Sequence, residues 1–212
     1  MIELFYGLGR GAGVDVLEPY ASTGCPVFSE LRTKDYITEA SWDILGPGSD
    51  ENLAGHYYPT SALLGALPDD SCSLLATAIA TMPDGCSIIF NQLGGKAADV
   101  PKTDTAVYHR DAKYWLIINA AWGKSDLFAT RTEKRDKAVN WAKTLRSDLM
   151  PYSIGRYGNL SQDTADEWND AVGKDPLAMA SWGANYAKLR DVKKKYDPKN
   201  LFSINHNILP AP

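Results

Sequence analysis

The sequence predicts an α+β fold: an antiparallel sheet with helices on one face. Three observations carry this prediction. Four apolar, β-prone segments lie between His56 and Trp122 and are joined mostly by short turns or a helix. The stretch from Asp126 to Leu149 puts Ala138, Trp141, Ala142, Leu145 and Leu149 on one side of a long helix. Near the C-terminus, Trp182, Tyr186, Leu189, Val192 and Tyr196 recur at steps of three or four, the signature of an amphipathic helix. The 212 residues are enough to bury a sizeable core, as one domain or as part of a larger one.

The chain opens on Ile2–Tyr6, apolar and β-prone. Gly7-Leu8-Gly9-Arg10-Gly11-Ala12-Gly13 follows, and then Val14–Tyr20, which can form a helix. The glycine run formally matches a dinucleotide fingerprint. A dinucleotide fold also needs further buried strands alternating with helices, and the next segments do not provide them. The run therefore reads as a strand-to-helix connection. Val27–Leu31 alternates as a strand does, Lys34–Leu45 has helical spacing, and Gly46–Glu51 has loop composition.

His56–Leu64 reads as a strand, with Pro59 arguing for an edge position or an irregularity. Asp69, Asp70 and Ser71 are expected to cap a helix carrying Leu75, Ala78, Ile79 and Met82. Pro83-Asp84-Gly85 is a turn. Cys86–Gln92, Thr105–His109 and Lys113–Trp122 read as strands, with Gly94-Gly95 ending the first. Ser153–Tyr157 is a short strand and Thr164–Val172 a short helix. The C-terminal helix should stop at Asp197, because the residue before Pro198 is pushed away from helical angles. An extended tail with Phe202, Ile204 and Ile208 follows it.

A net charge of −4 and a pI near 5.4 give no electrostatic case for nucleic acid. Lys193-Lys194-Lys195 reads as a solvated helix face. No apolar run is long enough to cross a bilayer, and no signal peptide is visible at the N-terminus. Cys25, Cys72 and Cys86 are widely spaced, so one disulfide is open but not indicated. His56, His109 and His206 are scattered and give no metal-ligand spacing. Asn159-Leu160-Ser161 is a glycosylation sequon, a pattern too common to place the protein.

Two blocks say more than composition does. The first is Trp182-Gly183-x-Asn185-Tyr186-x-x-Leu189-x-x-Val192-Lys193-x-x-Tyr196-Asp197-Pro198-x-Asn200-x-Phe202, followed by Asn205-x-Asn207-Ile208. It resembles the C-terminal signature of berberine-bridge-enzyme-like FAD-linked oxidoreductases, of the vanillyl-alcohol-oxidase superfamily. The second block runs through Gly94-Gly95, Val100-Pro101, Thr105-Ala106 and His109-Arg110. It is similar to that superfamily's substrate-binding domain, in the same order. Arg156-Tyr157-Gly158-Asn159 looks like the family's Tyr-x-Asn segment. The resemblance covers most of the chain after Cys86. It divides the chain into a substrate-binding domain, residues 1–181, and a C-terminal helix and tail, residues 182–212, packed on it.

The resemblance implies a pocket wall made by the sheet, facing a flavin. It implies Tyr157 as the catalytic base, taking a proton from a substrate hydroxyl. Such a phenol needs a neighbouring positive charge or hydrogen bond to give up its own proton near neutral pH. Arg156 is a poor candidate for that help, since adjacent residues on a strand face opposite ways. Asn91, His109, Tyr114 and Asn159 are the implied substrate contacts, and Asn205 and Asn207 the implied flavin contacts. Outside the resemblance, the plainer role of the His109-Arg110 pair is structural, and that of the tail asparagines is to satisfy backbone groups.

FAD is the implied cofactor, yet nothing in Met1–Asp84 resembles the family's FAD-binding domain. The expectation is therefore the substrate-side and C-terminal part of an oxidoreductase acting on alcohols of sugars, phenols or secondary metabolites. Its partners would be a small-molecule substrate and either an FAD-binding chain or further copies of itself. The alternative is a free-standing, flavin-independent cyclase, isomerase or small-molecule binding protein derived from that domain. The purified chain is expected to be colourless and to self-associate through an exposed apolar interface.

Overall fold

The computed structural model describes residues 15, 16, 18, 19, 56–123, 128–160, 176–203 and 206–212. The chain divides into two compact units, residues 1–49 and 50–212. In the first, Asp15, Val16, Glu18 and Pro19 are helical and exposed, within the helix expected at Val14–Tyr20. The segments Ile2–Tyr6, Gly7–Gly13, Val27–Leu31 and Lys34–Leu45 lie outside the described residues, as do the loop at Gly46–Glu51 and the helix expected at Thr164–Val172.

The second unit is built on a four-stranded antiparallel sheet. Strand β1 is His56–Leu64, β2 is Ser87–Gln92, β3 is Tyr114–Trp122 and β4 is Ser153–Gly155, in the order β2-β3-β1-β4. β1 pairs with β3 along its whole length, from His56 opposite Trp122 to Leu64 opposite Tyr114. β4 meets β1 only at Leu63 and Leu64. Pro59 therefore lies in an interior strand, but on a stretch whose other side β4 does not reach. A missing N–H costs no ladder bond there.

Helix α1 is Asp69–Ala80 and α2 is Phe128–Asp148. Side chains on a strand alternate between faces. Tyr58, Ala62 and Leu64 of β1 share one face with Leu116, Ile118 and Ala120 of β3. Leu75 of α1 packs there, with Ala138, Ala142 and Leu145 of α2 and Leu149 just beyond it. The side of α2 expected from the sequence is the buried one, and Trp141 Nε1 donates to the Ala78 carbonyl of α1 at 3.1 Å.

Helices α3, Pro176–Trp182, and α4, Asn185–Tyr196, form a second layer that reaches the sheet through β4. Residues 182–212 belong to the second unit. α4 stops before Asp197, as the proline requires. The Asp197 carboxylate then accepts from Leu201 N, Phe202 N and Lys193 Nζ, closing the turn.

Several expectations are corrected. Three strands lie between His56 and Trp122 instead of four. Thr105–His109 is irregular, its backbone held by other groups: Asn185 Nδ2 donates to the Lys102 and Thr105 carbonyls at 2.6 and 3.0 Å. β4 ends at Gly155, two residues short of Tyr157. Pro68 occupies the N-cap of α1, and Ser71, already inside the helix, donates back to the Pro68 carbonyl at 2.7 Å. Asp69 and Asp70 sit in the first turn, where they complement the helix dipole. Leu74 packs on the core where Ile79 was expected, and Ile79 and Met82 are exposed. The C-terminal helical stripe is broken at Gly183, whose φ of +49° is a left-handed conformation suited to glycine. Beyond that break Tyr186 is buried, but Val192, Tyr196 and Phe202 are exposed.

Candidate functional site

The face of the sheet away from α1 and α2 has a different chemistry. Register puts Pro59, Ser61 and Leu63 of β1 on it, with Trp115, Ile117 and Asn119 of β3 and Ser87, Ile89 and Asn91 of β2. Asn91 sits opposite Trp115, and its Nδ2 lies 3.5 Å from the Trp115 carbonyl. Asn119 Nδ2 points at Ser87 Oγ, 3.4 Å away.

Tyr157 closes over this face. Leaving β4, its N–H donates to Ser61 Oγ at 3.2 Å, and the Ser61 hydroxyl is 3.2 Å from the Tyr157 carbonyl. Its ring lies on Trp115, with centroids 4.6 Å apart and an interplanar angle of 55°. Asn159 Nδ2 donates to the Tyr157 phenolic oxygen at 3.3 Å. A partly exposed phenol therefore rests on an indole with an amide donor at its oxygen.

Of the implied residues, the structure brings Tyr157 and Asn159 together and puts Asn91 on the same face, behind Trp115. Arg156 is fully buried while Tyr157 is partly exposed, and the pair lies beyond the strand on which opposite faces were expected. Tyr114 is on the opposite face, packed against the core beneath the helices. The one-residue alternation of β3 puts Trp115 on the site side in its place. Asn205 lies outside the described residues.

His109 is half-buried, and its Nε2 is 2.8 Å from the Ala180 carbonyl of α3. A carbonyl oxygen only accepts, so Nε2 carries the hydrogen. Burial pushes the His109 pKa below its ordinary value, opposed by the Ala180 hydrogen bond and by Asp111. Asp111 is itself held low by Lys102, 2.9 Å away at the surface.

Asn207 is half-buried, and its Oδ1, sealed from solvent, has no donor among the described residues. A buried acceptor without a partner is costly. The N–H of an isoalloxazine ring is a donor of the kind this oxygen lacks. Trp115 Nε1 is a buried donor without an acceptor. Among the described residues no group of His, Cys, Asp and Glu could hold a metal, and no helix is long and apolar enough to cross a membrane.

Sequence reading passed over Trp115 and Ser61. Both were within reach: a serine inside an apolar strand, and a tryptophan in register with Asn91 once β2 and β3 are paired.

Residues 178–209 match the model of the family described as berberine and berberine like. Across 99% of its length the chain is 28% identical to an FAD-linked oxidoreductase of Dictyostelium discoideum, covering 42% of that protein. It is 34% identical over 54% of its length to a chitooligosaccharide oxidase of Gibberella zeae, covering 22% of it. Among solved structures, a chitooligosaccharide oxidase aligns over 96% of this chain and 44% of its own, at a TM-score of 0.65 and 20% identity. The berberine-bridge-like protein 28 of Arabidopsis thaliana aligns over 75% of this chain and 34% of its own, at 0.63 and 18%. The chain spans about two fifths of the length of the curated relatives that match most of it. In sequence the chain is similar to a part of these FAD-linked oxidoreductases, over residues 178–209 to the berberine and berberine like family, and its fold resembles a part of the berberine-bridge-like structures.

Proposed function

We propose that this chain is the substrate side of an FAD-linked oxidoreductase acting on an alcohol, with Tyr157 as the base. The observation that carries the reading is Tyr157 lying on Trp115 with Asn159 Nδ2 at its phenolic oxygen. In this reading Tyr157 takes the proton of a substrate hydroxyl while Asn159 stabilises the charge on the phenolic oxygen before transfer. Trp115 gives the substrate a flat apolar wall and Asn91 supports that wall from the neighbouring strand. FAD, when bound, supplies the hydride acceptor, and Asn207 would meet its ring.

The lining supports the substrate class. Indole and phenol faces stack on sugar rings and on planar phenolic or polyketide-like molecules, and the flanking amides and hydroxyls bind their polar edges. An FAD-binding portion, on this or another chain, would cover the exposed Tyr196, Leu201 and Phe202 of the C-terminal segment.

The test is flavin reduction in a single turnover, with the chain joined to the FAD-binding portion of a relative. Sugar, phenolic and polyketide-like alcohols are offered to wild type and Tyr157→Phe. The reading predicts a rate loss of about 10²–10⁴-fold in the variant, the usual weight of a general base. An equal rate in both would remove Tyr157 from the chemistry. Saturable binding of such ligands by the colourless chain, with no reduction by any alcohol, would favour the flavin-independent binding protein.

A further inference from the structure

β4 is three residues long and pairs with β1 at two positions, with a register shift between them. So short a ladder does not by itself fix the direction in which the chain leaves it. Yet Tyr157, two residues on, must be placed within a fraction of an ångström to act as a base. Ser61 and Trp115 hold it on the sheet side, and the other side of the exit from β4 is set at α3.

The Ala180 carbonyl of α3 accepts two hydrogen bonds, from Arg156 N at 3.0 Å and from His109 Nε2 at 2.8 Å. The His109 ring also fills the space over Gly155, where any β-carbon would overlap it. Tyr108 meets the ring edge-on, at 5.3 Å and 84°, and occupies the matching space over Gly183. The imidazole is thus wedged between the last residue of β4 and the last turn of α3, and it bonds the same carbonyl that holds Arg156.

We propose that His109 is a positioning residue for Tyr157. Its ring sets the spacing of β4 from α3, and its N–H fixes the carbonyl on which the Arg156–Tyr157 backbone hangs. A phenyl ring would fill the wedge without the bond, and a shorter amide would not reach the carbonyl. The proposal rests on Tyr157 being the working phenol, but it concerns where that phenol lies.

The experiment reads that position directly, without flavin or substrate. The tyrosines are labelled with ¹³C at Cζ, and the Tyr157 resonance is assigned by its loss in Tyr157→Phe. His109→Phe should displace or split the Tyr157 resonance by more than its linewidth. His109→Gln, which restores an N–H donor, should return it to the wild-type position. Leu75→Ala, a core change remote from the wedge, should lower the melting temperature and leave the resonance in place. An unmoved resonance in His109→Phe, or equal displacement in all three variants, would overturn the proposal. If His109→Phe does not fold, His109→Asn is read by the same criteria. A negative result would remove His109 and leave the reading of Tyr157 standing, because that reading is judged by flavin reduction.

Discussion

The two faces of one sheet differ in kind. Toward α1 and α2, alternate residues of β1 are Tyr58, Thr60, Ala62 and Leu64, against Leu116, Ile118 and Ala120 of β3, and all are buried. Toward the other side the same strands present Ser61, Asn119 and Trp115 among the apolar Pro59, Leu63 and Ile117, with Asn91 alongside. This second face keeps the Trp115 indole N–H buried and unpaired, beneath a tyrosine that is 38% exposed. A fold needs only one face of a sheet for its core. Polar and aromatic groups retained on the other face, some at a cost in stability, are what the proposed site is built from.

The comparison breaks if the faces respond alike to substitution. The largest effect is expected for Tyr157→Phe, whose loss of about 10²–10⁴-fold in alcohol oxidation should come with an unchanged melting temperature. Leu116→Ala, on the helix-packed face, should do the opposite. It should cost about 2–5 kcal/mol in chemical denaturation and, in the protein that still folds, leave ligand affinity intact. Gly183→Ala tests the joint between α3 and α4. A left-handed φ and the Tyr108 ring both oppose a side chain there, so a loss of about 1–3 kcal/mol is expected.

The smallest effect is on pH. Burial depresses the His109 pKa in the folded state, so the unfolded chain takes up this proton first as pH falls. The resulting stability is fully present above the ordinary histidine pKa of about 6.5 and is lost as pH falls toward the folded value. Thermal melts of wild type should therefore decline below that pH more steeply than those of His109→Gln. Parallel declines would assign the acid sensitivity to other groups.

Much of the fold was legible because period and punctuation are local. Ala138, Trp141, Ala142, Leu145 and Leu149 marked the buried side of α2, and Asp197-Pro198 marked the end of α4. What was not legible depends on distant partners. Nothing near Thr105–His109 says that its backbone will be held by Asn185, so its β-branched character read as a strand. Nothing in the C-terminal stripe says that Val192 and Tyr196 are left exposed, since helical spacing shows which residues share a face but not how far that face is covered. The site was half legible. Tyr157 and Asn159 were named together and stand together, whereas Tyr114 was named for a position that one step of strand alternation gives to Trp115. The bond from His109 to Ala180 spans 71 residues and has no local signature.

The central claim is that the Trp115–Tyr157 face receives the substrate. The most direct measurement follows the indole N–H resonances of the six tryptophans while the chain is titrated with a chitooligosaccharide and, separately, with a phenolic alcohol. Trp122 and Trp141 pack on the core of the helix-covered side and serve as internal controls. The account predicts a saturable shift of the Trp115 resonance with at least one ligand class, with Trp122 and Trp141 unmoved. Saturable shifts at Trp122 or Trp141 with Trp115 unmoved would contradict it.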